Sequence, residues 1–198
     1  MSKGRLTREA ILAKAFELAS KNGLESLTIG ELAKQCSMSK SGLFAHFNSK
    51  ENLQLSVLGY ANQVFAERVI EPARCLGDED IIDKFKALLD HWLGWNHSFQ
   101  GSCMFLDAWK ETAGSGQTPI QQQLKATILK WIDYLIIQLR KGRDNQQFRA
   151  DLDCEQAAFE LYGLYLSAHL FYSLRGEQAS QAHFWQGVDR LLGDWTAS

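Results

Sequence analysis

At 198 residues the chain has room for one well-formed core, or a core with a small satellite, and for two domains at most. Hydrophobic residues at 45% and charged residues at 22% exclude a disordered or fibrous chain, and 2 Pro leave few breakers for a helical one. A formal net charge of -2 excludes a uniformly basic coat for nucleic acid but leaves a local patch open.

The first helix is expected from Thr7, because Ile11, Leu12, Ala15, Phe16 and Ala19 recur at three- and four-residue intervals and form one apolar stripe. Thr7 would accept from the amides of the first turn, Glu9 suits the positive helix end, and Gly23 after Asn22 supplies a left-handed exit. Asn-Gly also suits a hairpin, but the periods on both sides are helical. Thr28 and Glu31 have the spacing of a capping box ahead of a short helix carrying Leu32 and Ala33. Ser37 and Met38 form a turn, and Ser39 caps a third helix through Phe47, with Leu43 and Phe47 on its inner face.

After Asn48, Ser49 caps a long helix from Lys50 that carries Leu53, Val57, Tyr60, Ala61 and Val64 until Pro72 ends it. Further helices are expected over about Glu79 to Trp95, Cys103 to Glu111, Pro119 to Lys141, Asp153 to Leu174 and Gln178 to Trp195. Their separators are Asn96 to Ser102, Thr112 to Thr118 and the polar, mobile stretch Lys141 to Asp151. The fold class is therefore all-α, with about nine helices.

Charge divides along the chain. Residues 1–55 hold eight Lys and Arg against five Glu, a balance of +3, so the remainder stands at -5. The basic part is also where a short helix, a tight turn and a second short helix follow a bracing helix, the helix-turn-helix arrangement whose second helix enters the major groove of DNA. Ser41 and Gly42 would allow close approach, while Ser39, Lys40 and Ser41 bring donors and one cation to phosphates or base edges. Lys50 and Thr28, at helix starts, can reach the backbone. By composition alone the same three helices would equally make a plain solvated face.

The run from Thr28 to Leu53, TIGELAKQCSMSKSGLFAHFNSKENL, resembles the DNA-binding signature of the TetR/AcrR family of transcriptional regulators. The resemblance covers residues 5–55 in detail and the rest only in its helical layout. It implies a three-helix DNA-binding domain at residues 1–50 and a helical ligand-binding and dimerisation domain at residues 51–198. It further implies a homodimer, usually a repressor, on double-stranded palindromic operator DNA, with a small-molecule inducer. By position Thr28, Ser39, Lys40, Ser41, Gly42, Phe44, His46 and Lys50 fall in the family's DNA-contacting segment, and Ala33, Leu43, Phe47 and Leu53 match its core. Ser37 stands where the family commonly has Gly, a modest strain if its φ is positive. Phe44 replaces a common Tyr, which removes a phenolic phosphate contact and leaves apolar contact with sugar or a thymine methyl. His46 could donate to phosphate or pack beside Phe47.

All six Trp and all five Tyr lie beyond this region. Trp92, Phe105, Trp109, Trp131 and Tyr134 could wall a ligand pocket or simply pack helices. The stretch Gly101 to Phe105 resembles, over a short span, a glycine-cysteine segment of many family members. In family members the last two helices form a four-helix dimer interface, which would place Leu161, Tyr165, Ala168, Tyr172, Phe184, Val188 and Leu191 there.

Other classes find little support. Cys36, Cys75, Cys103 and Cys154 have no spacing for a zinc site or a disulfide framework, so reduced thiols and no metal are expected. The longest uncharged stretches, His91 to Leu106 and Leu161 to Leu174, are too short or too polar to span a bilayer, and a cytoplasmic protein without membrane contact is expected. Asp90, His91, His97, Asp107 and Glu111 are titratable, but no metalloprotease, phosphate-loop or dinucleotide motif frames them, so neither catalysis nor a cofactor is expected. A helical interaction protein without operator recognition is the remaining alternative.

Overall fold

The computed structural model describes residues 3–95, 103–114 and 116–196, with the backbone alone at residues 3–7. The helices are α1 (Lys3–Asn22), α2 (Ile29–Gln35), α3 (Lys40–Phe47), α4 (Lys50–Phe65), α5 (Glu71–Arg74), α6 (Ile81–Gly94), α7 (Met104–Glu111), α8 (Pro119–Asp144), α9 (Cys154–Arg175) and α10 (Glu177–Trp195). A π-helical segment, Ala66–Ile70, joins α4 to α5, so the fold is all-α as expected. The expected separator at 96–102, including His97 and the Gly101-Ser102 pair, and Ser115 lie outside the described residues.

Two compact units form, one from Met1–Phe65 with Ser102–Ile128 and the other from Ala66–Gly101 with Leu129–Ser198. In the first, α1 packs on α4 and α2 on α3. The stripe Ile11, Leu12, Ala15, Phe16 and Ala19 meets Leu32, Leu43, Phe47, Leu53 and Val57, all buried. The Phe16 ring sits edge-on to Tyr60 at 5.9 Å. In the second unit α9 and α10 form an antiparallel hairpin, on which Leu161, Tyr165, Ala168, Phe184, Val188 and Leu192 are buried.

Three boundaries differ from the sequence expectation, each for a physical reason. Helix α1 begins at Lys3, so Thr7 lies inside the helix rather than capping it. Pro72 does not end its helix. Lacking an N–H and crowding the carbonyl four residues back, it is preceded by a wider π turn and then tolerated in the first turn of α5. The stretch after Lys141 is anchored rather than mobile: α8 continues to Asp144, and Phe148 is buried edge-on to Trp195 at 6.2 Å. The amide of Arg149 donates to the Trp195 carbonyl at 2.8 Å, and Phe148 makes an isolated antiparallel bridge with Thr196. Gly142 permits this, because a Cβ there would stand 2.3 Å from the Phe148 ring. Among the described residues no helix is long and apolar enough to cross a membrane.

Candidate nucleic-acid interface

Helix α2 starts where Thr28, in extended backbone, accepts from the Glu31 amide at 3.2 Å through Oγ1. The reciprocal half of a capping box is not made. The Glu31 carboxylate instead accepts from Gln35 at 3.3 Å and lies 3.8 Å from the Lys34 ammonium. The helix closes in a Schellman arrangement: the Met38 amide bonds the Ala33 carbonyl at 2.9 Å and the Ser37 amide bonds that of Lys34 at 3.2 Å. This geometry puts Ser37 at φ 54°, the left-handed region that Gly would occupy without strain.

The turn delivers Ser39, whose Oγ accepts from the Gly42 amide at 3.1 Å and lies 3.2 Å from the Ser41 hydroxyl. Leu43 and Phe47 are buried beneath α3, which turns Lys40, Ser41 and Phe44 outward on one face, Phe44 being 51% exposed. The Lys40 side chain crosses the first turn of α2, its Cε 3.3 Å from where a Gly30 Cβ would stand. Asn48 at φ 62° ends α3, and Ser49 caps α4 by accepting from Asn52 at 3.0 Å. His46 is half-buried with its ring tilted beside that of Phe47 at 6.2 Å. Lys50 is exposed but not idle: its Nζ donates to the Glu25 carbonyl at 2.6 Å and to the Glu25 carboxylate at 3.3 Å.

Two residues that sequence reasoning passed over brace this surface. Arg8 places its guanidinium 5.1 Å over the Phe47 ring and donates to the Ser56 hydroxyl at 3.1 Å. Gln54, buried, donates to the Leu24 carbonyl at 2.9 Å and so ties α4 to the loop before α2. Neither pairing has a local signal, since the partners are 48 and 30 residues apart.

The aromatic candidates divide between the units. Phe105 is buried in the first, edge-on to Phe65 at 6.2 Å, and Trp109 is 38% exposed. In the second, Trp92 stacks on Tyr165 at 3.8 Å, meets Trp131 edge-on at 5.1 Å and lies 5.4 Å from Tyr162, and Trp131 stacks with Tyr134 at 5.9 Å. The Tyr134 hydroxyl and the Gln138 carbonyl, one turn apart on α8, are buried without a hydrogen-bond partner among the described residues. Burial pushes the Tyr134 phenol up from its ordinary value. It does the same to the thiols of Cys36 and Cys154, which stay protonated and poorly nucleophilic, and none of the four cysteines is in a disulfide.

Of the residues expected at a dimer interface, Leu161, Tyr165, Ala168, Phe184 and Val188 are buried within the chain, while Tyr172 and Leu191 are half-exposed. A helix has two apolar faces here, and the inner one is consumed within the chain. The outer one carries Phe159, Leu166, Leu170 and Leu174, with Phe171 beside them, all exposed.

Residues 11–57 match the family described as bacterial regulatory proteins, tetR family, and residues 82–188 match the tetracyclin repressor-like C-terminal domain. Over 61 residues, 31% of the chain, the sequence is 39% identical to the HTH-type transcriptional regulator QacR of Staphylococcus aureus, a stretch spanning 32% of that protein's length. In fold the chain is similar to a TetR-family regulator from Cytophaga hutchinsonii, with a TM-score of 0.81 at 20% identity over 100% of this chain and 98% of that one. It is also similar to a regulator from Saccharomonospora viridis solved in complex with choline, with a TM-score of 0.79 at 18% identity over 99% of this chain and 100% of that one.

Proposed function

The chain belongs to the TetR/AcrR family of transcriptional regulators, which are DNA-binding proteins and not enzymes, and from this premise we propose a homodimeric repressor released from a palindromic operator by a small molecule. The observation that carries this reading is the outward face of α3. Lys40, Ser41 and Phe44 present a cation, a hydroxyl and an apolar ring together, next to the capped starts of α2 and α4 at Thr28 and Ser49. In the proposed complex α3 enters the major groove, Thr28, Ser39 and Lys40 hold phosphates, and Gly42 allows close approach. Phe44 touches sugar or a thymine methyl, and His46 and Lys50 lie at the edge.

The proposed dimer forms through the outer face of α9. Phe159, Leu166, Leu170 and Leu174 recur at helical spacing and are all exposed, and exposed apolar side chains grouped on one face mark interaction sites. Tyr172 and Leu191 lie seven residues after Tyr165 and Phe184, on the inner faces of the two helices, and with Leu161, Ala168 and Val188 they back this contact from behind. Two copies would offer two recognition helices about one DNA turn apart, so weak single-module binding becomes bidentate. For the inducer, Trp92, Trp131 and Tyr134 favour a neutral or cationic compound with an apolar body, and the unpaired oxygens of Tyr134 and Gln138 favour one that also donates a hydrogen bond. Phe105 and Trp109, the other two candidates, belong to the first unit and are left out of this site.

The test is selection of duplexes from a random pool by the purified protein at moderate salt. Enrichment of a palindrome whose binding weakens as salt rises is expected. Equal retention of all sequences would leave a helical interaction protein in its place. Mass measurement of small molecules that copurify tests the ligand half separately.

A further inference from the structure

Glu111, at the end of α7, is a charge that the operator reading leaves without a task. Its Oε2 accepts from the Glu25 amide in a long hydrogen bond of 3.4 Å. Its Oε1 reaches the main chain of Gly23 so closely that a Cβ there would stand 2.2 Å away, and Gly23 itself has φ +85°. Gly23 therefore serves both the left-handed exit of α1 and the approach of this carboxylate. On the opposite side of the same loop, Lys50 donates to the Glu25 carbonyl at 2.6 Å and Gln54 to the Leu24 carbonyl at 2.9 Å.

The main chain of residue 25 is thus held between an anion on its N–H and a cation on its C=O. The Lys50 bond is a short charge-assisted one, of the stronger kind, and the longer Glu111 bond, with the close approach of its other oxygen to Gly23, holds the N–H side of the same loop. Stability of α1 does not account for the arrangement, because a carboxylate beside a helix C-terminus meets the negative pole of the helix dipole. Lys50 keeps 44% of its side chain exposed while it holds the loop, so its ammonium has a free side toward a phosphate. Where Lys50 presents that charge is set by Glu25, and where Glu25 stands is set from the far side by Glu111.

We propose that Glu111 is a positioning residue for operator binding, acting through the Glu25 main chain to place the Lys50 ammonium against the DNA backbone. The inference rests on the operator reading above. Its test is a double-mutant cycle on the full chain, with the duplex that wild-type protein enriches as the probe. E111A is expected to lower affinity by about 3- to 10-fold, with the thermal midpoint little changed, and E111Q, which keeps an acceptor oxygen, to restore most of the loss. In a K50A background the E111A effect should shrink below about twofold, because the group it positions is gone. Should E111A not fold, E111D, which withdraws the same charge by one methylene, carries the same cycle. Wild-type affinity in E111A, or a loss of the same size with and without Lys50, overturns the positioning role while the operator reading stands. Failure of the wild-type protein to enrich any duplex overturns the operator reading and this inference with it.

Discussion

The segment proposed to face DNA and the aromatic interior are specified over different distances along the chain. Around α2 and α3 every boundary is written within three to five residues: Thr28 on Glu31, Ser39 on Gly42, Ser49 on Asn52, and the Schellman bonds from Ser37 and Met38 back to Lys34 and Ala33. Polar side chains there satisfy the main chain and leave the outer face free. In the second unit the order comes from partners far apart in sequence, such as Trp92 on Tyr165, Gln147 on the amide of Ile81, and Lys141 on Asp78. A surface built locally can change its outward residues without unfolding, whereas an interior built from distant contacts cannot. Substitutions in the two regions should therefore separate binding from stability.

The largest expected effect tests the interior. Trp92 is 2% exposed and touches three other aromatic rings, so W92A should cost about 3–5 kcal/mol and lower the thermal midpoint by roughly 10 °C. A midpoint within about 2 °C of wild type would show that the aromatic cluster is a lining rather than a core. Next is the ion-pair knot that ties the loop before α6 to α8. The half-exposed Asp78 carboxylate accepts from Lys141 at 2.5 Å and from the buried Lys84, and these bonds, the one to Lys141 foremost, hold its pKa at about 2.

Because the folded value is depressed, the stabilisation is present above the unfolded carboxylate pKa and is lost as pH falls through about 2. D78N should cost about 2 kcal/mol at neutral pH, between the ranges for exposed and buried pairs, since it leaves the Lys84 ammonium short of a partner. The gap in thermal midpoint between D78N and wild type should narrow toward pH 2. A gap that is constant with pH would mean that packing, not charge, is what Asp78 supplies.

The same contrast of range explains what the sequence allowed one to read. The helices, the caps at Thr28, Ser39 and Ser49 and the left-handed Gly23 and Ser37 were legible because their causes sit beside them. The anchoring of Phe148 by Trp195 and Gly142 was not, because a polar run such as Lys141 to Asp151 shows no period that would betray a distant partner. Nor was the sidedness of α9. Both of its apolar faces have helical spacing, and only the packing of distant elements, Trp92 of α6 among them, decides that Leu161 and Tyr165 turn inward while Leu166 and Leu170 turn out. Lys40, Ser41 and Phe44, proposed to meet DNA, are exposed on α3, but the bond of Lys50 to Glu25 and the contacts of Arg8 and Gln54 need the folded chain.

On the side proposed to face DNA the expected effect is smaller and of another kind. K40A removes one cation that makes no salt bridge within the described residues, so the thermal midpoint should stay within about 1 °C while operator affinity falls about 5- to 10-fold. The slope of log affinity against log salt should become shallower by about one, which marks a lost phosphate contact. An unchanged slope with lost affinity would instead place Lys40 on a base edge, and unchanged affinity would take it off the interface.

The smallest effect probes the turn between α2 and α3, where the two kinds of determinant meet. Ser37 at φ 54° carries a strain of about 1 kcal/mol that Gly would avoid, but Gly would also loosen the unfolded chain by about 0.5–1 kcal/mol. The two nearly cancel, so S37G should stabilise the protein by no more than about 0.5 kcal/mol, read as a small rise in urea midpoint at constant slope. Its value lies in the second readout. The Schellman bonds of Ser37 and Met38 use only the main chain, so a glycine preserves them and operator affinity should not move. A fivefold or larger change in affinity at equal stability would mean that the Ser37 side chain, or the stiffness it gives the turn, sets the angle at which α3 meets the groove, and the local account of this surface would then need a partner beyond its own sequence neighbours.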